Sequence, residues 1–147
     1  TLWQPPLLSQ PGAFAFRIYR NYDGAGTKFG DTSVAATSSN QALLSIYAAQ
    51  RGGDDALTLV IINKSGAEQS AALTLDNFNA SGPAQLYRYS AANLNAIVRG
   101  SDLAITNGEV IAAYPANSIT LLVIPQGDTT PPPTAFDTWL RLPLMWR

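Results

Sequence analysis

The chain has 147 residues, of which 46% are hydrophobic and 13% charged, and its formal net charge is −1. This length suits one domain with a buried core, while the weak charge argues against a nucleic-acid partner. The sequence holds no cysteine and no histidine, which excludes disulfides, thiolate or imidazole catalysis and metal sites built on those residues. No apolar run has the length of a membrane helix. We therefore expect no membrane partner and no cofactor, and a weakly charged surface that suits neutral ligands such as polysaccharides.

The N-terminal segment predicts an irregular lead-in followed by a short helix. The first ten residues carry two prolines and show neither the basic nor the apolar region of a signal peptide. Residues 11–22, PGAFAFRIYRNY, place their aromatic and aliphatic side chains on one helical arc after a proline that suits the first helical position. A strand remains the alternative because Phe14, Phe16 and Ile18 also alternate. Gly24 is expected to end the helix.

From about residue 29 the apolar period changes to two, which is typical of strands. The candidate strands in chain order are FGDTSVAATS, ALLSIYAAQ, ALTLVIINK, EQSAALTLDNF, AQLYRYS, SDLAIT, EVIAAYP and SITLLVIPQ. The third is apolar on both faces, so we expect it to be central and covered on both sides. Asn107-Gly108 is a type I′ hairpin signal. Some seven or eight short strands at hairpin spacing predict an all-β fold, an antiparallel β-sandwich with one N-terminal helix.

The composition divides the chain into four predicted parts. The lead-in and helix occupy residues 1–24, and the β-sandwich domain occupies residues 25–126. Residues 127–134 form a Thr/Pro linker that we expect to be extended. Residues 135–147 form an apolar tail, which carries two of the three tryptophans and is too short to be a domain.

The carboxylates do not predict a catalytic or metal site. The two glutamates, Glu68 and Glu109, each lie beside a predicted hairpin turn, whereas a glycosidase needs two carboxyl groups about 5 Å apart or somewhat wider. We therefore expect surface roles for both and no catalytic residue. Turn and cap chemistry accounts for the loop aspartates without a metal, because no EF-hand spacing is present. These loop residues are Asp23, Asp31, Asp54 and Asp55.

Four tyrosines are candidates for binding carbohydrate by stacking on sugar rings. Tyr87 and Tyr89 lie two residues apart on one predicted strand and so share a face, while Tyr47 and Tyr114 lie on other strands. The four could form a flat platform for a glucan chain. The alternative is that they line the contact with a neighbouring domain, with the ring inward and the hydroxyl at the rim.

Three stretches, AFRIYRNYDG with the following KFGDTSV, ALTLVIINK and YPANSITLLVIP, resemble the C-terminal part of glycoside hydrolase family 44 over about residues 13–125. Members of this family are bacterial endoglucanases and xyloglucanases acting on β-1,4-linked glucans, with a (β/α)₈ catalytic barrel attached to a β-sandwich. The resemblance implies a secreted accessory domain whose partners are the barrel and, as an alternative, β-glucan. The family's catalytic glutamates lie on barrel strands and match no position in this sequence.

The resemblance also implies that residues 14–23 form the last barrel helix, so its apolar arc would face the barrel. The interface residues would then be Phe14, Phe16, Ile18, Tyr19 and Tyr22. Without a barrel this arc would need another cover, supplied by Leu7 and Leu8, by the tail, or by self-association through the helix face or the tail. The tail side chains considered are Trp139, Leu142, Leu144 and Trp146. An autonomous carbohydrate-binding module, and less favourably a hydrolase, are the alternatives to an accessory domain.

Overall fold

A computed structural model describes residues 4–127, and within them the chain forms one helix and eight strands. The elements are α1 (Pro11–Arg20), β1 (Thr32–Val34), β2 (Leu44–Gln50), β3 (Leu57–Asn63), β4 (Gln69–Thr74), β5 (Gln85–Ser90), β6 (Asn93–Arg99), β7 (Glu109–Tyr114) and β8 (Ser118–Ile124). The strands pair in antiparallel fashion throughout these elements. The predicted class, an antiparallel β fold with one short N-terminal helix, is confirmed.

The strands form two sheets of unequal width. The large sheet has the order β1-β2-β3-β8-β5-β6, and the small sheet consists of β4 and β7. The inner faces of the two sheets enclose a core in which Ile61 and Leu122 of the large sheet meet Val110 and Tyr114 of the small one. We call the face of the large sheet toward this core its inner face, and the opposite face its outer face.

Helix α1 forms a third layer on the outer face of the large sheet. Phe14 and Ile18 are buried and belong to one cluster with Val60 of β3 and Leu121 of β8. The helix begins at Pro11 and ends at Arg20, where the Asn21 N–H donates a hydrogen bond to the Arg17 carbonyl at 2.7 Å. A spacing of four residues brings Phe14 and Ile18 to the same face of a helix. Only this side of the segment contacts the sheet, which favours the helix over the alternating strand.

Strand β3 is central, as its sequence predicts. It pairs with β2 on one side and β8 on the other, and six of its seven residues are buried. Its inner face packs in the sandwich core and its outer face lies under α1. Coverage on both sides explains why this strand has no polar face.

The predicted strand boundaries are wrong in one region. Residues 93–99 form β6, where no strand was predicted from the sequence. The predicted strand SDLAIT forms only isolated bridges, from Leu103 and Thr106. Strand β6 is an edge strand, and Leu94 and Val98 remain exposed on it. One-sided pairing at an edge does not require regular apolar alternation, so the periodicity was too weak to reveal this strand.

The turn predicted at Asn107-Gly108 is present, since both residues have positive φ angles of 53° and 74° and Thr106 forms an isolated bridge with Glu109. The predicted hairpin between SDLAIT and β7 does not form, because β7 pairs with β4 instead. The proposed boundaries at residues 24 and 126 stay predictions.

Within residues 4–127 no helix has the length and apolarity needed to cross a membrane. Nearly all of the predicted linker, and the whole tail at 135–147, lie outside the described residues.

Candidate functional site

The outer face of the large sheet carries a row of directly paired side chains that begins and ends with a predicted binding tyrosine. Tyr47 of β2 is paired with Val60, Val60 with Leu121, and Leu121 with Tyr87 of β5. Direct partners in adjacent strands point to the same face. Since neighbouring strands are about 4.8 Å apart, the two tyrosines are separated by about 14 Å across the sheet.

Helix α1 interrupts this row. Val60 and Leu121 are both completely buried, and Phe14 and Ile18 of the helix belong to the same cluster. Tyr47 and Tyr87 therefore lie on either side of the helix, in two separate grooves. The described chain does not present them as one continuous platform.

The first groove, which we call the Tyr47 groove, has a volume of about 390 Å³ and is lined by Tyr47, Tyr19 and Phe29. Tyr47 is 49% exposed. The rings of Tyr19 and Phe29 meet edge to face, with centroids 5.2 Å apart, and the Phe29 N–H donates to the Tyr19 carbonyl at 2.9 Å. Burial, and secondarily the nearby Tyr47, raise the pKa of the Tyr19 hydroxyl. The groove thus offers aromatic surface beside a Tyr19 hydroxyl that stays neutral at ordinary pH.

The second groove, the Tyr87 cleft, has a volume of about 370 Å³ and lies between the C-terminal end of α1 and β6. The Arg99 guanidinium lies 5.1 Å from the centroid of the Tyr87 ring. The Tyr22 ring packs edge to face on the same Tyr87 ring, with the two centroids 4.7 Å apart. Arg99 also pairs with Asp102, and this hydrogen bond raises the pKa of the guanidinium. Asn95 is among the residues that line the cleft. An aromatic ring beside amide and guanidinium donors is a chemistry suited to a hydroxyl-rich ligand.

The other two predicted binding tyrosines are corrected by their burial. Tyr89 is 7% exposed, stacks on Phe14 at a centroid distance of 4.9 Å, and donates its hydroxyl to the Leu94 carbonyl at 3.2 Å. Tyr114 is 1% exposed in the core between the sheets, and this burial raises its pKa. Neither residue offers a ring face to a polysaccharide. A carbohydrate-binding role for Tyr47 and Tyr87 stays a prediction.

The expected barrel-facing arc of the helix also needs correction. Phe14, Ile18 and Tyr22 are buried against this chain's own sheet. They therefore need no second domain to bury them. Phe16 is 58% exposed and Tyr19 is half-buried. The reason is geometric, because the helix packs on the apolar outer face of β3 and β8. This contact removes apolar surface of both the helix and the sheet from water.

A polar network at the end of α1 was not recognised in the sequence. Arg51 donates two hydrogen bonds to the Asp54 carboxylate at 2.7 and 2.6 Å, and a third to the Tyr22 hydroxyl at 2.7 Å. The Arg51 hydrogen bonds lower the pKa of Asp54, and the same pairing raises that of Arg51. The spacing of Arg51 and Asp54 in a Gly-Gly turn hinted at their pair, but nothing local signalled the bond to Tyr22.

Among the loop aspartates, Asp23 acts in a turn as predicted, whereas Asp31 joins two loops that are distant in sequence. Asp23 accepts hydrogen bonds from the N–H groups of Ala25 at 2.8 Å and Thr27 at 3.2 Å. Asp31 accepts one from the Gly52 N–H at 3.1 Å. In the part of the chain that the structure describes, no three metal-ligating side chains gather at one place.

The two glutamates lie at opposite ends of the small sheet. Glu68 precedes Gln69, which is paired with Tyr114, whereas Glu109 is paired with Thr74 at the other end of β4. Five residues of strand separate these ends, or about 17 Å. This distance exceeds the spacing of a catalytic carboxylate pair in either retaining or inverting glycosidases.

Comparison with known proteins places this architecture among glycoside hydrolases, although no protein-family model matches the chain. CelM2, a bifunctional glucanase-xylanase from a metagenome library, is 40% identical with a TM-score of 0.81, covering 85% of this chain and 24% of that one. A family 44 xyloglucanase from Paenibacillus polymyxa is 26% identical with a TM-score of 0.73, covering 79% and 23% of the two chains. A curated relative, beta-mannanase/endoglucanase A from Caldicellulosiruptor saccharolyticus, is 43% identical over 53 residues, which are 35% of this chain and 4% of that protein.

The two structural matches cover most of the present chain but only a small part of the proteins it resembles. The chain spans about a quarter of the length of the solved enzymes. The matched region is an antiparallel sandwich of eight strands in two sheets with one helix. The chain is therefore similar to the β-sandwich part of glycoside hydrolase family 44 enzymes, in agreement with the resemblance read from its sequence.

Proposed function

We propose that this chain is a non-catalytic β-sandwich domain of a secreted β-1,4-glucan-degrading glycoside hydrolase, in which it supports a catalytic barrel. The observation that carries the proposal is the match of 85% of the chain to 24% of a glucanase-xylanase at 40% identity. The separation of Glu68 from Glu109 supports the non-catalytic part. A glycosidase mechanism would need two carboxyl groups at much shorter range.

The surface beyond the helix supports attachment to another domain. Leu7 and Leu8 are 68% and 74% exposed, and Phe16, two residues along the helix from buried Phe14, is 58% exposed. Leu7 and Leu8 are consecutive, and adjacent exposed apolar side chains of this size are typical of an interaction surface. We infer that this lead-in and the outer side of α1 contact the barrel.

The first test is chemical. Purified chain, incubated with xyloglucan, hydroxyethylcellulose or mannan, should release no reducing sugar above a heat-treated sample. Release that follows the protein through purification would overturn the non-catalytic proposal. The coding sequence upstream of Thr1 gives an independent test, because we expect a barrel with two glutamates on its strands there.

Attachment can be tested with a barrel fragment made from the 40% identical glucanase-xylanase. Leu7→Asp with Leu8→Asp should weaken its association with the chain in sedimentation experiments by at least tenfold. Ser9→Asp, next to the patch but already polar, is the control for added charge. Equal association of the native and double-variant chains would contradict the proposed surface.

A second candidate function is an autonomous carbohydrate-binding module, favoured by the Tyr87 cleft with its aromatic ring and polar lining. Affinity electrophoresis on the same three polysaccharides separates the two functions. Retardation that is lost in Tyr87→Ala but kept in Ala91→Gly, an exposed site near β5, would support the module. The same comparison with Tyr47→Ala tests the Tyr47 groove.

A further inference from the structure

The Tyr87 cleft is lined by two arginines, and each of them lies over an aromatic ring. The Arg17 guanidinium lies 4.9 Å from the centroid of the Phe14 ring, and the Arg99 guanidinium lies over Tyr87. Among the described residues that line the cleft, Asp23 alone carries a carboxylate. The cleft therefore concentrates positive charge on one side of a chain that is weakly charged as a whole.

The two arginines differ in the partners that they have within the chain. Arg99 donates hydrogen bonds to the Asp102 carboxylate and to the Gly100 carbonyl. Arg17 is half-buried, yet it makes no ion pair and no side-chain hydrogen bond with any residue in 4–127. Its guanidinium N–H donors are therefore available to a ligand, and their fork geometry matches a carboxylate.

The side-chain acceptors of the cleft are already used by the loop that follows α1. The Asn21 side-chain oxygen accepts from the Gly26 N–H at 2.7 Å. Both Asp23 oxygens accept from Thr27, one from its N–H at 3.2 Å and the other from its hydroxyl. The amide nitrogens of Asn21 and Asn95 have no acceptor within residues 4–127. The side-chain groups left for a ligand are thus mainly donors, which favours a ligand that supplies acceptors.

The cleft also has an apolar wall and a limited size. Tyr87 and Ile97 are half-buried and line it beside the polar groups. Its volume of about 370 Å³ lies near the lower end of the range for small-molecule sites, roughly 300 to 1,000 Å³. This size suits one sugar unit, whose C–H surface would pack on the apolar wall, better than a length of polysaccharide main chain.

We propose that the Tyr87 cleft binds a uronic acid unit of an acidic polysaccharide. The carboxylate of the sugar accepts hydrogen bonds from Arg17, and its hydroxyls accept from the amides of Asn21 and Asn95. The inference rests on the second candidate function, carbohydrate binding in this cleft, and names its ligand. It differs from the neutral ligand expected from the composition, because the net charge of a chain does not describe the charge of one cleft.

The carboxylate can be tested by changing the ligand and leaving the protein intact. The full chain is run in affinity electrophoresis on glucuronoxylan and on the same polymer after its carboxyl groups have been reduced to alcohols. We expect reduction to weaken binding about tenfold, the effect of losing a hydrogen bond to a charged group. Equal retardation by the two polymers would overturn the proposal in favour of a neutral sugar.

Arg17→Gln should abolish the preference for the acidic polymer, while Arg17→Lys should keep part of it because an ammonium lacks the planar fork of donors. Arg20→Gln is the matched control. Arg20 lies in the same last turn of α1, is exposed and does not line the cleft, and its replacement changes the net charge equally. Equal losses in the two glutamine variants would indicate non-specific charge attraction and overturn the proposal. Thermal melting establishes that each variant is folded.

Competition separates a uronic acid site from a general anion site. Free glucuronate should release the chain from glucuronoxylan, whereas acetate at the same ionic strength should not, and equal release by both would overturn the proposal. Absence of retardation on either polymer would overturn it together with the second candidate function. Attachment to the barrel is measured separately by sedimentation with the Leu7 and Leu8 variants, so a failure of this site is distinguishable from a failure of the accessory role.

Discussion

The two faces of the large sheet are covered in different ways. The outer face is covered by α1, which is separated from β1 by residues 21–31 and buries Phe14 and Ile18 on Val60 and Leu121. The inner face is covered by a sheet of two strands and retains a trough of about 540 Å³ beside β4, lined by Ile46, Ala48 and Leu73 among others. The difference shows that strand alternation specifies which face of a sheet is apolar. How much of that face is buried depends on the size of the element that packs against it, which comes from another part of the chain.

The outer cover should be the most sensitive to loss of a single side chain. Phe14→Ala removes a ring that is 4% exposed and stacks on Tyr89, so we expect the free energy of unfolding to fall by about 3–4 kcal/mol. Urea denaturation followed by circular dichroism measures this. Leu8→Ala, at a site 74% exposed, is the control and should change stability by less than about 0.5 kcal/mol. A similar small change for both would mean that the helix contributes little cover.

The inner interface depends on a buried amide. The Asn63 side chain donates to the carbonyls of Tyr114 and Pro115, each at 2.9 Å, and accepts from the Ser65 N–H at 2.9 Å. Asn63→Ala leaves these groups buried without partners, and we expect a loss of about 2–3 kcal/mol. Asn95→Ala on exposed β6 serves as the control in the same denaturation experiment. An equal effect at the two sites would exclude a special role for the buried amide.

A close backbone approach links the loop after α1 to β2. A Cβ on Gly30 would lie 2.5 Å from the Gln50 carbonyl oxygen, so Gly30→Ala must displace the backbone and should cost about 2 kcal/mol. Gly53→Ala meets no atom within 4 Å and provides a matched substitution in a nearby turn. Thermal melting of both variants tests this, and equal melting temperatures would show that the loop adapts without cost.

The Arg51–Asp54 pair should have the smallest effect and a defined pH dependence. Because Arg51 lowers the pKa of Asp54 in the folded state, the pair stabilises the fold above the ordinary carboxyl pKa and loses this contribution as pH falls through the folded-state pKa. The side chain of Asp54 is 54% exposed, so Asp54→Asn should cost less than about 1 kcal/mol at pH 7. The difference from the native chain should shrink below about pH 4. A difference that is constant from pH 7 to pH 3 would contradict the ion-pair explanation.

Several features of the fold could be read from local sequence because their causes are local. The apolar run of β3 predicted a strand covered on both faces, and Asn107-Gly108 predicted a tight turn through the positive φ angles that both residues adopt. The period of Phe14 and Ile18 predicted a helix. Strand β6 was missed because an exposed edge imposes little pattern on its side chains.

The candidate site was less predictable because burial depends on partners distant in sequence. Tyr87 and Tyr89 share a strand and a face, yet Phe14 stacks on Tyr89 while Tyr87 lines a cleft. Tyr114 points into the core because β7 faces the inner side of the large sheet. Strand alternation predicts which face of the sheet an aromatic ring lies on. Whether the ring is exposed depends on which other elements of the fold pack against that face.

The sequence by itself determined the class of fold, the central strand and the absence of cysteine and histidine chemistry, since periodicity and composition act residue by residue. Only the tertiary structure decided that the apolar arc of α1 meets this chain's own sheet. It also decided that Arg51 reaches Tyr22 across 29 positions of sequence and that a trough remains beside β4. These features depend on how separate elements cover one another, because the free energy of burial follows the area removed from water and not the order of residues along the chain.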